Sequence, residues 1–400
     1  MGILIRKHHG ARAFTGMAKL SFVIFFSSLA SALTDTIWAV YLKGFLHSDA
    51  LVGFYSGFLS VLAFVSFFVL VPLVEKSRKS TIYSTALLFI GVLMLFLAVN
   101  KNIVFFIFIS IAITIFITLK ITAFGIIVRD KSKKEKVSEN EGVIYSFNNV
   151  AWVVGPLIAG LILIDFGMPI VFVSASFLIL LSFMLFKISN IKDSNIPKKI
   201  DGNVFANLIK YFENKERIIS YILGAGVTFW WVLIYLYTPL LMIERGLPTS
   251  SIGIFLFAAA TPLIVLEYPF SKIAGKFGAK RLFALGYLIA VIASSMAFVF
   301  INQIYVALGF LVFGSVGLAM LEPTTEAYFF DLLKNKKEEN RFYGPYNTAI
   351  ETGLIFGKLA PAILLLFLPF KFIYVLFAAI LFGLFLLSFK AKNVVEGKRK

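Results

Sequence analysis

The 400-residue sequence has no cysteine, and its three histidines are His8, His9 and His47. Without thiols there is no disulfide framework, no thiolate chemistry and no cysteine-based metal site. The histidines lie outside the long apolar runs, so no H-E-x-x-H helix or comparable intramembrane catalytic pair is present. A phosphate-binding G-x-x-x-x-G-K-[ST] loop is also missing. Gly275-Lys276 is followed by Phe277 and Gly357-Lys358 by Leu359, so the chain carries no recognisable ATP engine of its own. Acids are scarce, 21 against 38 basic residues, and charged residues make up only 15% of the chain. A soluble domain is nearer about 25% charged and about 45–50% apolar.

What fills the space is hydrocarbon: 60% of the residues are hydrophobic and 46 are phenylalanine. About 20 mostly apolar residues cross the hydrocarbon layer as a helix. Twelve such runs are predicted, at roughly 19–42, 51–74, 82–100, 103–128, 142–164, 168–187, 217–242, 251–273, 282–301, 303–330, 344–368 and 370–390. Runs such as Leu88–Val99 do not alternate, which excludes the strands of a β-barrel. The fold class is therefore an all-α membrane protein. The first run is too long for the apolar core of a signal peptide, and nothing after it looks like a cleavage site.

The net charge of +17 invites a nucleic-acid reading, but that needs a basic face on a soluble domain. Here the basic residues sit in the short gaps between spans. With the N-terminus inside, 32 of the 38 lysines and arginines fall on the inner side and four on the outer, while Lys120 and Lys358 lie within spans. The positive-inside rule then puts both termini in the cytoplasm of a multi-pass plasma-membrane protein, with no nucleic-acid partner.

A polar stretch, Ser189–Asn203, separates six spans from six and reads as a linker. Val204–Arg217 after it reads as an interfacial helix with Val204, Leu208, Tyr211 and Phe212 on one face. The expected organisation is 1–188, a linker 189–216, and 217–400. An offset of 200 residues aligns the halves. Gly53 and Gly253 open spans two and eight, and Lys76 and Lys276 close them in "VPLVEKSRKS" and "SKIAGKFGAK".

Both stretches resemble the loop G-x-L-x-D-R-x-G-R-R of the major facilitator superfamily. Ile273, Lys276, Gly278 and Lys280 fit in the second copy; Leu73, Glu75, Lys76 and Lys79 fit in the first. Val71, Arg78, Ser271 and Gly275 depart from it. The resemblance covers the whole chain and implies two pseudo-symmetric six-helix bundles that alternate access to a midplane site. Within span five, "GVIYSFNNVAWVVGPLIAG" resembles the superfamily's antiporter motif, with Gly142, Gly155, Pro156 and Gly160 matching and Ala151 and Ala159 replacing glycines. That likeness implies export; the plain alternative is a close-packing seam.

Seven charged residues fall within the spans: Asp35, Lys120, Glu267, Glu322, Glu326, Glu351 and Lys358. Each costs about 2.5–3.5 kcal/mol at the bilayer centre unless it pairs or lines water. Ser28, Ser31, Asp35 and Trp38 recur at helical spacing on span one, and Thr228, Trp231, Tyr235 and Thr238 do so on span seven. In the resembled fold spans one, four, seven and ten line the cavity, so these faces are the expected substrate site. The alternative places Asp35 near the outer interface. Lys120 on span four lies near the position of a membrane arginine in the superfamily's drug antiporters, or else snorkels inward. Glu322 and Glu326, one turn apart beside Pro323, are candidate proton carriers, because like charge and burial both oppose full ionisation. Glu75 and Arg129, at the cytoplasmic ends of spans two and four, form an expected latch.

Together these residues predict a proton-coupled exporter of lipophilic, often cationic, small molecules, using Asp35, Lys120, Glu322 and Glu326 for coupling. Its partners are the substrate, protons and the bilayer. It is expected to be a monomer without a cofactor, and not an enzyme. Two alternatives remain: uptake of a sugar, nucleoside or other nutrient, and a non-transporting membrane sensor.

Overall fold

The computed structural model describes residues 2–131, 137–191, 193 and 204–392. Most of the predicted linker, 194–203, lies outside them, as does the side chain of Arg129, so the expected Glu75–Arg129 latch falls on a residue not described. Among the described residues there is no strand, as an apolar solvent requires: only a helix satisfies every backbone group within one segment.

Six helices precede the linker: α1 (Gly2–Leu46), α2 (Asp49–Lys76), α3 (Lys79–Val99), α4 (Ile103–Lys131), α5 (Val137–Asp165) and α6 (Gly167–Ile188). After it come α7 (Val204–Phe212), α8 (Lys215–Val232), a π-helical turn Leu233–Tyr237, α9 (Thr238–Glu244), α10 (Ser250–Phe277), α11 (Ala279–Val299), α12 (Ile304–Asp331), α13 (Lys336–Leu364) and α14 (Phe372–Ser388). Among the described residues, ten stretches are long and apolar enough to cross a membrane, Lys215–Glu244 counting as one. The other two predicted spans are α13, whose first half is polar, and α14, which has 17 residues. Large side chains such as Phe108, Phe177 and Val69 point outward, as a lipid-facing surface demands. Hydroxyls within the spans bond back to their own helix, as Ser110, Thr114 and Thr118 do along α4.

The chain forms two compact units, Met1–Ile37 with Val65–Lys199 and Trp38–Phe64 with Ile200–Lys400. In the first, small residues let helices meet closely. Ser176 of α6 donates to the Gly91 carbonyl of α3 at 2.7 Å, and Ser182 to the Val23 carbonyl of α1 at 2.8 Å. Tyr83 lies between Phe124 and Phe186, with ring centroids 5.3 and 4.7 Å away. A Cβ on Gly155 would collide with the Ala32 methyl, so α5 rests directly on α1.

In the second unit Trp230 occupies the space left by Gly314 and donates to Ser315 at 3.2 Å. The first half of α2 belongs here, with Gly53 beside Tyr237 and Ala362 and Gly57 beside Leu359. Helix α7 ends at Phe212, earlier than the predicted Arg217, because Asn214 caps α8 by accepting from the amides of Glu216 and Arg217. It docks through Tyr211, fully buried among Tyr221, Phe329, Phe342 and Tyr346. The Tyr211 hydroxyl donates to the Arg217 carbonyl and the Arg217 guanidinium returns a bond to the Tyr211 carbonyl, both at 3.0 Å.

The two aligned loops turn by different means. After α10 the turn is one residue, Gly278, at φ 90° and ψ 145°, a conformation that side-chain-bearing residues avoid. After α2 it is Ser77-Arg78 with ordinary backbone angles. There Asp193, from the linker, accepts from the Ser80 amide and hydroxyl at 2.9 Å each and closes the start of α3.

Candidate functional site

The side chains of the polar face predicted on α1 differ in their surroundings. Ser28 donates to Asn148 Oδ1 of α5 at 2.7 Å, and Ser31 donates to the Ser27 carbonyl of its own helix. Both hydroxyls are therefore engaged. Between Leu20 and Lys43, Phe22 and Asp35 are the two exposed residues of an otherwise buried or half-buried helix. Lys120 of α4, buried at 6% exposure, lies within electrostatic reach of Asp35. Asn148 was not expected. The adjacent asparagines of "FNNVAW", within an apolar span, are the signal that could have found it.

On the predicted span-seven face the regular spacing breaks. Trp231 and Tyr235 are half-buried, with ring centroids 5.7 Å apart. Thr238 is fully buried and donates to the Leu233 carbonyl at 2.8 Å. Thr228 is buried against Gly353. The π-helical turn at Leu233–Tyr237 explains part of this. Pro239 has no amide to offer the carbonyl four residues earlier, and the widened turn carries one extra residue. One extra residue rotates the next stretch of helix by about 100° and takes Thr238 off the face of Trp231. Trp38 is half-buried and pairs with Tyr41, ring centroids 6.4 Å apart.

A second charged cluster lies in the other unit. Glu322 of α12 is within electrostatic reach of its neighbour Glu326 and of Glu267 on α10. The Tyr343 hydroxyl of α13 donates to Glu326 at 3.3 Å, while Glu322 Oε2 is buried without a hydrogen-bond partner among the described residues. In the sequence Glu267 is only one of seven charged residues within the spans; its place beside the pair was hidden because it comes from another helix. Further along α13, Glu351 feels the charge of Lys358.

The loop residues Lys76 and Lys276 end α2 and α10 and are exposed; Lys280 is half-buried in the first turn of α11. Of the span-five residues, Gly155 and Pro156 are buried inside α5 and Gly142 has open space around it. The structure therefore gives Gly155 a packing role. Among the described residues no cluster of three acidic or histidine side chains could hold a metal ion.

The sequence profile of the Major Facilitator Superfamily matches residues 20–266 and again 222–400. No curated protein sequence matches this one. Among solved structures, the chain is similar to a mutant of the nucleoside transporter NupG, with TM-score 0.76 at 10% identity over 94% of this chain and 99% of that one. A POT family transporter in complex with 5-aminolevulinic acid gives 0.75 at 12% identity, covering 94% and 96%. A bacterial homologue of the lysosomal transporter Spinster, inward-facing and occupied, gives 0.69 at 12% identity, also covering 94% and 96%. Identities this low speak for a shared fold.

Proposed function

The chain belongs to the major facilitator superfamily, and on that premise we propose that it is a proton-coupled secondary transporter moving a small organic molecule by alternating access. Membership makes it a multi-pass membrane transporter and not an enzyme. The observation that carries the coupling is the carboxylate group of Glu267, Glu322 and Glu326. Three acids that feel one another's charge in a mostly apolar bundle are costly to ionise together, so taking up and releasing a proton is linked to conformation. Tyr343, donating to Glu326, supplies a movable hydrogen bond at the same place.

The finer reading, export of lipophilic cations, draws on the span-five resemblance and on Asp35 with the aromatic pair Trp231 and Tyr235. One observation weakens it: Gly155 has a packing duty against Ala32. Uptake of a nutrient is the second reading, favoured by neighbours that are nucleoside and peptide transporters. Cytoplasmic termini, a plasma-membrane location, a monomer and the division at 189–216 complete the proposal, supported by the placement of basic residues and the aligned halves.

Purified protein in proteoliposomes with an imposed pH gradient tests the coupling. Uphill transport of at least one member of a nucleoside, peptide, amino-acid and lipophilic-cation panel is expected. Glu322→Gln combined with Glu326→Gln should abolish accumulation and leave downhill exchange. Undiminished uphill transport in the double variant would sink the assignment.

A further inference from the structure

A cavity of about 460 Å³ opens where α3 begins and α6 ends, within the first unit. Its charged lining is Arg78, Lys187 and Asp193, with Thr81 and Asn190 as further polar groups. Asp193 is already committed: one oxygen accepts from the Ser80 amide and the other from the Ser80 hydroxyl. The two cations are not. Arg78 and Lys187 are exposed, and among the described residues neither side chain forms a hydrogen bond or an ion pair. Lys187 has only the Phe183 ring, 5.8 Å from its ammonium group. The cavity therefore has charge to offer an anion.

Its depth in the bilayer narrows the choice. Helices α3 and α6 have 21 and 22 residues, so each is about 31–33 Å long. The hydrocarbon layer is about 30 Å thick, which puts the ends of both helices, and the cavity with them, among the lipid headgroups. That is far from the midplane where a transported molecule is expected, so the cavity is a separate site. On α6, Phe177, Met184 and Ile188 are all exposed and follow one another at seven and four residues. They form an apolar stripe that runs up to the cavity, which Ile191 lines. A guanidinium matches phosphate oxygens in pairs, and an ammonium group adds a point charge. We infer that the cavity binds the phosphate of an anionic phospholipid, held by Arg78 and Lys187, with an acyl chain along the α6 stripe. Basic pockets at the ends of spans suit such headgroups.

The test is thermal stabilisation of the purified full-length protein in detergent, since a ligand of the folded state raises the melting temperature. The probes are dioctanoyl phosphatidylglycerol, dioctanoyl phosphatidylcholine and glycerol 3-phosphate. Phosphatidylglycerol should stabilise saturably, with an affinity about tenfold above that of phosphatidylcholine, and glycerol 3-phosphate should not stabilise. Arg78→Gln combined with Lys187→Gln should lose about tenfold in phosphatidylglycerol affinity. Arg78→Lys combined with Lys187→Arg should keep most of it. Lys210→Gln combined with Lys272→Gln removes the same charge outside the cavity and should leave the affinity unchanged. Without lipid, all three variants should melt with the wild type, because the altered side chains are exposed.

Equal affinity for the two lipids overturns the proposal. Stabilisation by glycerol 3-phosphate would assign the cavity to a free phosphate ester instead. An equal loss in the Lys210 and Lys272 variant would reduce the effect to attraction by the chain's net charge. A cavity variant that keeps its affinity, or that melts early without lipid, would also reject the site. None of these outcomes touches proton coupling, which the proteoliposome experiment decides by itself.

Discussion

The ammonium group of Lys358 on α13 donates to the hydroxyl of Ser60 on α2 at 2.8 Å, while the Tyr237 hydroxyl donates to the carbonyl of the same lysine. A hydrogen bond to a charged group contributes about 1.5–3 kcal/mol, and less where water can compete. Ser60→Ala should therefore lower the apparent melting temperature of the detergent-purified protein. Lys358→Met should cost more than Ser60→Ala, because it also removes the positive charge that Glu351 feels. Strictly additive effects in this double-mutant cycle would show the bond to be idle.

Gly53 and Gly57 sit one turn apart on α2, and the two should tolerate a methyl group differently. At Gly57 the atoms in the way are the tip of Leu359, which can rotate; at Gly53 they include the Ala362 methyl at 2.7 Å and the Lys358 carbonyl at 3.3 Å, which cannot. Gly53→Ala should cost about 1–3 kcal/mol and Gly57→Ala less. Leu359→Ala should relieve the Gly57 variant and leave the Gly53 variant unimproved in thermal unfolding.

Burial holds the Tyr211 phenol above the ordinary tyrosine range, with the neighbouring Tyr346 adding to the effect. A raised folded value stabilises fully below the unfolded value near 10 and is lost as pH rises towards the folded one. Docking of α7 should therefore weaken above about pH 10. Limited proteolysis of the 204–212 segment between pH 8 and 11 should show increasing cleavage in the wild type. Tyr211→Phe should cleave somewhat faster at pH 8, having lost its bond to the Arg217 carbonyl, with a flatter rise. An unchanged pH slope in that variant would assign the effect elsewhere.

The absence of cysteine makes topology straightforward to measure. Single cysteines at Lys43 and Lys101 should react with an impermeant maleimide on intact cells, and those at Ser77 and Lys198 should react only after permeabilisation. The reverse pattern would invert the proposed orientation.

The spans were legible because apolar length alone forces a helix in lipid; α4 and α12 run close to their predicted bounds. The charged residues were legible one by one, since each is conspicuous in hydrocarbon. Their groupings were not. Whether Glu267 meets Glu322, or Asp35 meets Lys120, depends on how two helices rotate against each other, and the letters of one helix do not record its neighbour's rotation. The break in the regular spacing of span seven was hidden for a related reason. Helical spacing assumed a constant 3.6 residues per turn, and the turn before Pro239 departs from it. Gly278 was legible as a motif residue, though its need for positive φ emerges only from the single-residue turn it makes.

That turn and its counterpart have unequal dependence on distant chain. Gly278 carries its whole geometry in one residue, so the bend between α10 and α11 is self-sufficient. The bend between α2 and α3 borrows its cap from Asp193, 113 residues away in sequence. Cleaving the backbone after Ile188 would leave the one-residue turn at Gly278 intact, and would remove from the earlier corner the covalent leash that keeps its carboxylate nearby. Two corners of common pattern thus differ in provenance: one is local and complete as soon as it is synthesised, the other stays provisional until the sixth helix has emerged.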